Sequence, residues 1–202
     1  MAFSRRKQRR LLATLVCVIT AAVIFIAVSR PSAVQRLSKA TPPTWIEQAF
    51  IRIGGPSRRG TSLKAFNDVV IHYVGNPATT AKQNRNYFDN PNSNVSAHFV
   101  VGLNGEIIQC LPLNEISAAS NHRNADTVSI EVCHPDDTGK FNEATYNSLV
   151  KLTAWLLDVG GLESNRVIRH YDVTGKECPR YYVRNPEEWE TFLSDVKNFR
   201  NK

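Results

Sequence analysis

Three side chains of this sequence are of the types that together bind a transition metal. His72 lies inside a continuous apolar run, and His170 follows a short apolar run at 166–168. Cys178 stands eight residues after His170, beyond Gly175, which allows the intervening loop to fold back. Two imidazoles and one thiolate favour zinc over magnesium or calcium, which prefer oxygen ligands. We therefore expect a zinc site at His72, His170 and Cys178.

Three protein ligands leave the fourth position of a tetrahedral zinc ion open to water, which is typical of a catalytic site. The alternative is a purely structural zinc site, which needs a fourth protein ligand such as His98 or His122. Taken singly, a histidine in a strand and a buried thiol also fit plain core roles. The metal interpretation therefore depends on the three residues acting together.

The elements that must position these side chains begin with strands. Four segments have the apolar patterns of β-strands: 68–74, 98–101, 106–110 and 127–133. Asn104 and Gly105, between the second and the third, supply the positive φ angles of a tight hairpin. The last segment alternates in polarity, which places Glu131 on its polar face.

Three helices complete the predicted elements. Apolar residues recur at helical spacing over 45–53 and indicate a short amphipathic helix. A second helix begins after Asn142 and runs through Val159, where a glycine pair ends it. A third has Asn185 as its predicted N-cap and Pro186 in its first turn. Strands interleaved with helices predict an α/β fold, with a mixed central β-sheet flanked by helices.

The remaining cysteine and histidine residues have structural interpretations. Four cysteines in 202 residues are too few for a disulfide scaffold. We expect Cys110 and Cys133 to be buried free thiols, with a disulfide between them as the alternative. His98 is predicted to be structural, and His134 to lie in a surface loop.

The basic charge of the sequence belongs to its first 40 residues. The whole chain has a formal net charge of +7, from 25 Lys and Arg against 18 Asp and Glu. Residues 1–40 contain eight of the basic residues and none of the acidic ones, so the rest of the chain is nearly neutral. This distribution argues against nucleic acid as a partner of the folded domain.

An uncharged run at 11–28 is long enough to cross a membrane. As a helix, these 18 residues would be about 27 Å long, which is close to the roughly 30 Å thickness of the hydrocarbon core of a bilayer. The basic tail at 1–10 would stay cytoplasmic, so we predict a single-pass signal-anchor in the cell membrane, with the domain on the extracytoplasmic side. A cleaved signal peptide, giving a secreted form, is the alternative. Residues 29–44 are then a linker, and 45–202 the folded domain.

Four segments carry a resemblance to a known family, in order along the chain: 69–76, 95–109, 120–132 and 167–181. They resemble the zinc-dependent N-acetylmuramoyl-L-alanine amidases of the type 2 amidase family, whose superfamily includes peptidoglycan recognition proteins. The resemblance implies hydrolysis of the amide between N-acetylmuramic acid and L-alanine in peptidoglycan or muropeptides. A non-catalytic peptidoglycan-binding receptor on the same fold is the alternative. We expect a monomer.

The resemblance also implies roles for individual residues. The zinc-ligand positions of the family fall on the three residues already singled out. Glu131 matches a glutamate that moves protons between water and the leaving amine, and Lys176 matches a lysine that stabilises the oxyanion. His122 matches a histidine of the cleft wall and is expected to contact substrate. Ala97 stands where some members have a catalytic tyrosine, so more of the mechanism rests on Glu131.

Overall fold

The computed structural model describes Lys7, Thr14, Val16 and residues 31–202. Among these residues no helix has both the length and the apolar character needed to cross a membrane. The predicted anchor at 11–28 lies outside the described residues, apart from Thr14 and Val16. Residues 33–202 form one compact unit.

A six-stranded mixed sheet forms the centre of this unit, in the order β1-β4-β3-β5-β2-β6. The strands are β1 (Ile46–Gln48), β2 (Asp68–Tyr73), β3 (Phe99–Val101), β4 (Ile107–Gln109), β5 (Thr127–Val132) and β6 (Val167–Arg169). Only β3 and β4 are antiparallel among the described strands, and the other neighbours are parallel. The predicted α/β fold with a mixed central sheet is confirmed, and so are the four predicted strands.

Helices cover both faces of the sheet. They are α1 (Ala33–Lys39), α2 (Ala81–Phe88), α3 (Glu143–Gly160), α4 (His170–Thr174), α5 (Arg180–Arg184) and α6 (Pro186–Arg200), with short 3₁₀ turns at Asn121–Arg123 and Ser164–Arg166. Buried apolar side chains form two core clusters. The larger core cluster, which includes Leu37, Leu156 and Phe192, packs α1, α3 and α6 against one face of the sheet. The smaller one joins α2 to the other face. Coverage on both sides explains why most residues of β2 are buried.

The predicted helix boundaries at α3 and α6 are confirmed by their local chemistry. The side chain of Asn142 accepts a hydrogen bond from the Thr145 amide and so caps the start of α3. Gly161 ends that helix in the left-handed conformation, at φ 58°. Proline opens α6 as expected, but the Asn185 side chain does not cap it and instead donates to the Tyr181 carbonyl.

Two predictions about residues 29–53 are wrong. Residues 45–53 form no helix but contain β1, because Ile46–Gln48 pairs in parallel with Ile107–Gln109 of β4. Within the predicted linker, α1 forms and buries Leu37, which is 1% exposed, in the larger core cluster. Residues 33–39 are therefore part of the folded unit. Cys110 and Cys133 are buried free thiols, as predicted.

Candidate metal centre and cleft

The three predicted metal ligands come together at the end of two neighbouring strands. His72 lies near the carboxyl end of β2, and His170 immediately follows β6, its parallel neighbour. Cys178 follows α4, and its carbonyl accepts from the Tyr171 amide, which folds the loop back. One ligand atom from each side chain lies within 4.8 Å of the other two.

The spacing of these atoms suits a small tetrahedral ion. Cys178 Sγ lies 3.9 Å from His72 Nδ1, and the His72 and His170 ring centroids are 4.6 Å apart. Zinc holds sulfur at about 2.3 Å and imidazole nitrogen at about 2.0 Å, so such separations fit ligands on a single ion. Within residues 31–202, the cluster includes no fourth His, Cys, Asp or Glu ligand. The arrangement therefore favours an open site over the closed structural one.

Burial keeps both imidazoles in the neutral form that binds metal. It lowers the pKa of His72 well below the usual value, and the nearby charges of His170 and Lys176 lower it further. The pKa of His170 falls for the same two reasons, burial and Lys176. Burial raises the pKa of the Cys178 thiol to about 12, so a bound metal has to displace its proton. A hydrogen bond from the Tyr73 backbone amide acts in the opposite direction and lowers the pKa of this thiol.

Each candidate ligand histidine makes a second contact through Nε2. His72 Nε2 lies 3.3 Å from Ser120 Oγ, and His170 Nε2 lies 2.9 Å from Asn121 Oδ1. Ser120 Oγ continues to Ser129 Oγ at 2.9 Å. Neither Ser120 nor Asn121 was among the predicted site residues. The sequence marked them only as the first two residues of the segment 120–132.

Glu131 lies beside the cluster with an unpaired carboxylate oxygen. It is the register partner of His72 across β2 and β5. Its Oε2 is buried and has no hydrogen-bond partner. Burial raises its pKa to about 8, while the positive charge of Lys176 acts in the opposite direction. A carboxyl group with a pKa near neutrality can both accept and donate a proton.

These groups line a cleft of about 970 Å³. Its walls include His72, Glu131, His170, Lys176 and Cys178, so five of the six predicted site residues meet there. Its lining also includes small and amide side chains from two loops, namely Asn94, Ser96, Ala118, Ala119, Asn121 and Asn124. The volume is within the range of small-molecule sites.

The other three histidines are not part of the candidate metal cluster. His122 is exposed and is not among the cleft-lining residues, whereas its neighbour Asn121 is. His98 is fully buried, and it faces the Glu115 carbonyl and the Ser129 amide, as its predicted structural role requires. The surface position predicted for His134 is wrong, since this residue is 1% exposed and its ring lies 5.1 Å from that of Tyr73.

Several known amidases are similar to this chain in sequence. The family model for N-acetylmuramoyl-L-alanine amidases (Amidase_2) matches residues 63–181. A Bacillus licheniformis protein named as a probable N-acetylmuramoyl-L-alanine amidase is 30% identical over 73% of this chain and 46% of its own length. The Bacillus subtilis amidase CwlH is 30% identical over 76% of this chain and 61% of its own. The chain thus spans about half the length of these curated relatives.

Solved structures share the fold over almost their whole length. A mutant endolysin from Bacillus subtilis superposes with a TM-score of 0.66 and 28% identity, covering 75% of this chain and 97% of that one. The catalytic domain of XlyA gives a TM-score of 0.65 and 26% identity, covering 75% and 98%. The match at 63–181 includes every residue of the candidate centre, and this chain belongs to the type 2 N-acetylmuramoyl-L-alanine amidase family.

Proposed function

We propose that this chain is a zinc-dependent N-acetylmuramoyl-L-alanine amidase that hydrolyses the amide between N-acetylmuramic acid and L-alanine in peptidoglycan. The observation that carries the proposal is the convergence of His72, His170 and Cys178 within 4.8 Å, beside the unpaired buried oxygen of Glu131. Family membership and the named amidase relatives support the same activity.

His72, His170 and Cys178 would hold the zinc ion. When bound, zinc supplies Lewis-acid polarisation of the amide carbonyl and makes a water molecule more acidic. Two neutral imidazoles and one thiolate leave a single net positive charge at the centre. Three protein ligands would leave the tetrahedral coordination of the ion incomplete, as is typical of catalytic zinc sites.

Glu131 is proposed as the group that moves protons. Its carboxylate takes a proton from the attacking water and delivers it to the amide nitrogen as that nitrogen leaves. The unpaired Oε2 is available for this exchange because no protein group already occupies it. Expulsion of a neutral amine avoids a strongly basic amide anion, which makes this proton delivery essential.

Lys176 is proposed to stabilise the negative charge that develops on the carbonyl oxygen. It lines the cleft, and its charge lowers the pKa of His72, His170 and Glu131, so its field extends across the whole centre. A fixed positive charge in a partly desolvated cleft favours the charged transition state more than the neutral amide. His122 is left without a proposed role, because its side chain does not line the cleft.

We also propose that residues 11–28 anchor the protein in the cell membrane, with the amidase domain on the extracytoplasmic side. The support is in the sequence: 18 uncharged residues follow a cluster of basic ones. Fractionation of cells that produce the full chain tests this. The domain should stay with membranes in 1 M salt, and an accessible tag at the C-terminus should be cleaved by external protease. A protein lacking 1–28 in the medium would instead indicate a cleaved signal.

The activity is tested with the full chain in detergent and isolated peptidoglycan. We expect release of new L-alanine amino groups with no new reducing sugar ends. A zinc chelator should stop the release, and added zinc should restore it. Binding of peptidoglycan without any release would instead support the non-catalytic receptor.

A further inference from the structure

Two consecutive residues face the two candidate ligand histidines from the same loop. Ser120 Oγ lies 3.3 Å from His72 Nε2, and Asn121 Oδ1 lies 2.9 Å from His170 Nε2. In both histidines the contact is made by Nε2. In each histidine Nδ1 is then the nitrogen left for a metal, and His72 Nδ1 is the atom that lies 3.9 Å from Cys178 Sγ.

The backbone of Asn121, which makes the contact with His170, has an unfavourable conformation. Its φ is 53°, one of only two positive values at residues other than glycine in the part of the chain that the structure describes. This conformation is unfavourable for an L-residue, although asparagine tolerates it better than most. Strain of this kind persists only where the surroundings enforce it, and it is concentrated at functional sites.

The surroundings of Asn121 do enforce this conformation. On one side, Asn124 Oδ1 accepts hydrogen bonds from the backbone amides of Ala119 and Ser120, at 3.0 and 2.6 Å. On the other side, the Arg123 side chain forms ion pairs with Asp68, at the start of β2, and with Asp126. The loop is thereby fixed to the strand that carries His72.

We propose that Asn121 is a positioning residue of the metal centre: it accepts the Nε2–H of His170 and so directs Nδ1 of that ring towards the metal. Ser120 acts in the same way on His72. The proposal concerns the metal site on which the proposed function rests, and it assigns these two residues a role in metal affinity. Partners of this kind fix the tautomer and the ring orientation, and their loss typically weakens metal binding by about 10- to 100-fold.

The first test is the zinc affinity of the full chain in detergent, measured by competition with a chromophoric chelator. Asn121→Gly removes the acceptor but accepts a positive φ without strain, so the loop can keep its path. We expect its zinc dissociation constant to rise by about 10- to 100-fold. Asn121→Asp keeps an acceptor at the same position and should stay within a few-fold of wild type.

The matched control is Ala78→Gly, which also introduces glycine at a positive φ, 60°, at a residue that does not line the cleft. It should leave zinc affinity unchanged. If wild type binds zinc and Asn121→Gly binds it equally well, the inference is wrong and the proposed amidase is unaffected. If wild type binds no zinc, the metal-dependent function itself is wrong.

The second test identifies the protonated nitrogen directly. In the zinc-loaded protein, nitrogen NMR of the imidazoles should show His170 with its proton on Nε2. A proton on Nδ1 in wild type would overturn the proposal. In Asn121→Gly the Nε2–H proton of His170 should exchange faster with water than it does in wild type. An unchanged exchange rate would also contradict the role.

Discussion

His72 and Glu131 face each other directly across the parallel pair β2 and β5. Their neighbours Ile71 and Ile130, also paired, pack into the larger core cluster on the opposite face. Because side chains alternate along a strand, this register places the candidate ligand and the candidate base on one face of the sheet. A shift of one residue in either strand would exchange the base for a core isoleucine or valine.

Glu131→Gln should lower amide hydrolysis by about 10²- to 10⁴-fold, because glutamine has the same shape but cannot accept a proton from water. Initial rates of L-alanine amine release measure the effect. Zinc content per chain should stay at the wild-type value, since Glu131 is not one of the three ligands. A variant that retained most of the activity would remove Glu131 from the mechanism.

Lys176→Gln should lower the rate constant for hydrolysis by about 10- to 100-fold, through loss of a positive charge near the reacting oxygen. Lys140→Gln is the matched control. Lys140 is exposed, and its ammonium lies over the Tyr181 ring and near Glu188, outside the cleft lining. Equal activity in both variants would mean that Lys176 serves only as a surface charge.

Removal of zinc should destabilise the protein as well as stop hydrolysis. A metal present at about 1,000 times its dissociation constant adds about 4 kcal/mol to the free energy of unfolding. In a domain of this size the chelated protein should melt on the order of 10 °C lower, and added zinc should reverse the shift. Cys178→Ser should show a much smaller difference between the two states. An identical Tm with and without chelator in wild type would contradict the metal site.

His98 should make the fold sensitive to acid. Burial lowers its pKa from 6.5 to about 4, so the unfolded chain takes up a proton at higher pH than the folded one. Its contribution to stability is therefore present above about pH 6.5 and is lost as the pH falls from there through about 4. Between pH 7 and pH 5 this amounts to about 2 kcal/mol.

Urea unfolding of the chelated protein at the two pH values measures this loss. His98→Asn has no titratable ring, so its free energy of unfolding should fall less between pH 7 and pH 5 than that of wild type. Both proteins retain His72 and His170, whose shared contribution cancels in the comparison. Equal losses in wild type and variant would show that His98 titrates normally.

Asp68→Asn should lower the free energy of unfolding by about 2–3 kcal/mol. The Asp68 side chain is 5% exposed and forms ion pairs with Arg123 and Arg166, which fix the loops before β5 and β6. Asp158→Asn is the control, since its pair with Arg200 is mostly exposed on the aspartate side and should contribute less than about 1 kcal/mol. Denaturant titration of the two variants compares them.

The sequence predicted the parts of this site that local patterns determine. The apolar run around His72 and the hairpin at Gly105 depend on short-range chemistry. Of the two positive φ angles predicted for this hairpin, only that of Gly105 is present, at 81°. The three candidate ligands, which come together in the structure, could be chosen from the sequence because few residue types bind zinc.

Predictions from the sequence were wrong where distant parts of the chain decide the structure. The apolar spacing over 45–53 fits a helix, yet pairing with β4 makes 46–48 a strand. His134 is buried, and its ring packs against that of Tyr73, which lies 61 residues earlier in the sequence. Asn121, whose φ is positive, lines the cleft, whereas the neighbouring His122 does not. None of these contacts leaves a periodic signal in the sequence.

The large distance along the chain between the candidate ligands has a consequence for biosynthesis. His72 is made about a hundred residues before His170 and Cys178, so a growing chain cannot close the centre until its C-terminal third has emerged. From its emergence until a metal binds, Cys178 is an unprotected thiol, and in an oxidising compartment it can form a disulfide with Cys110 or Cys133. Zinc supplied at the moment of folding would therefore raise the yield of active protein more than zinc supplied afterwards.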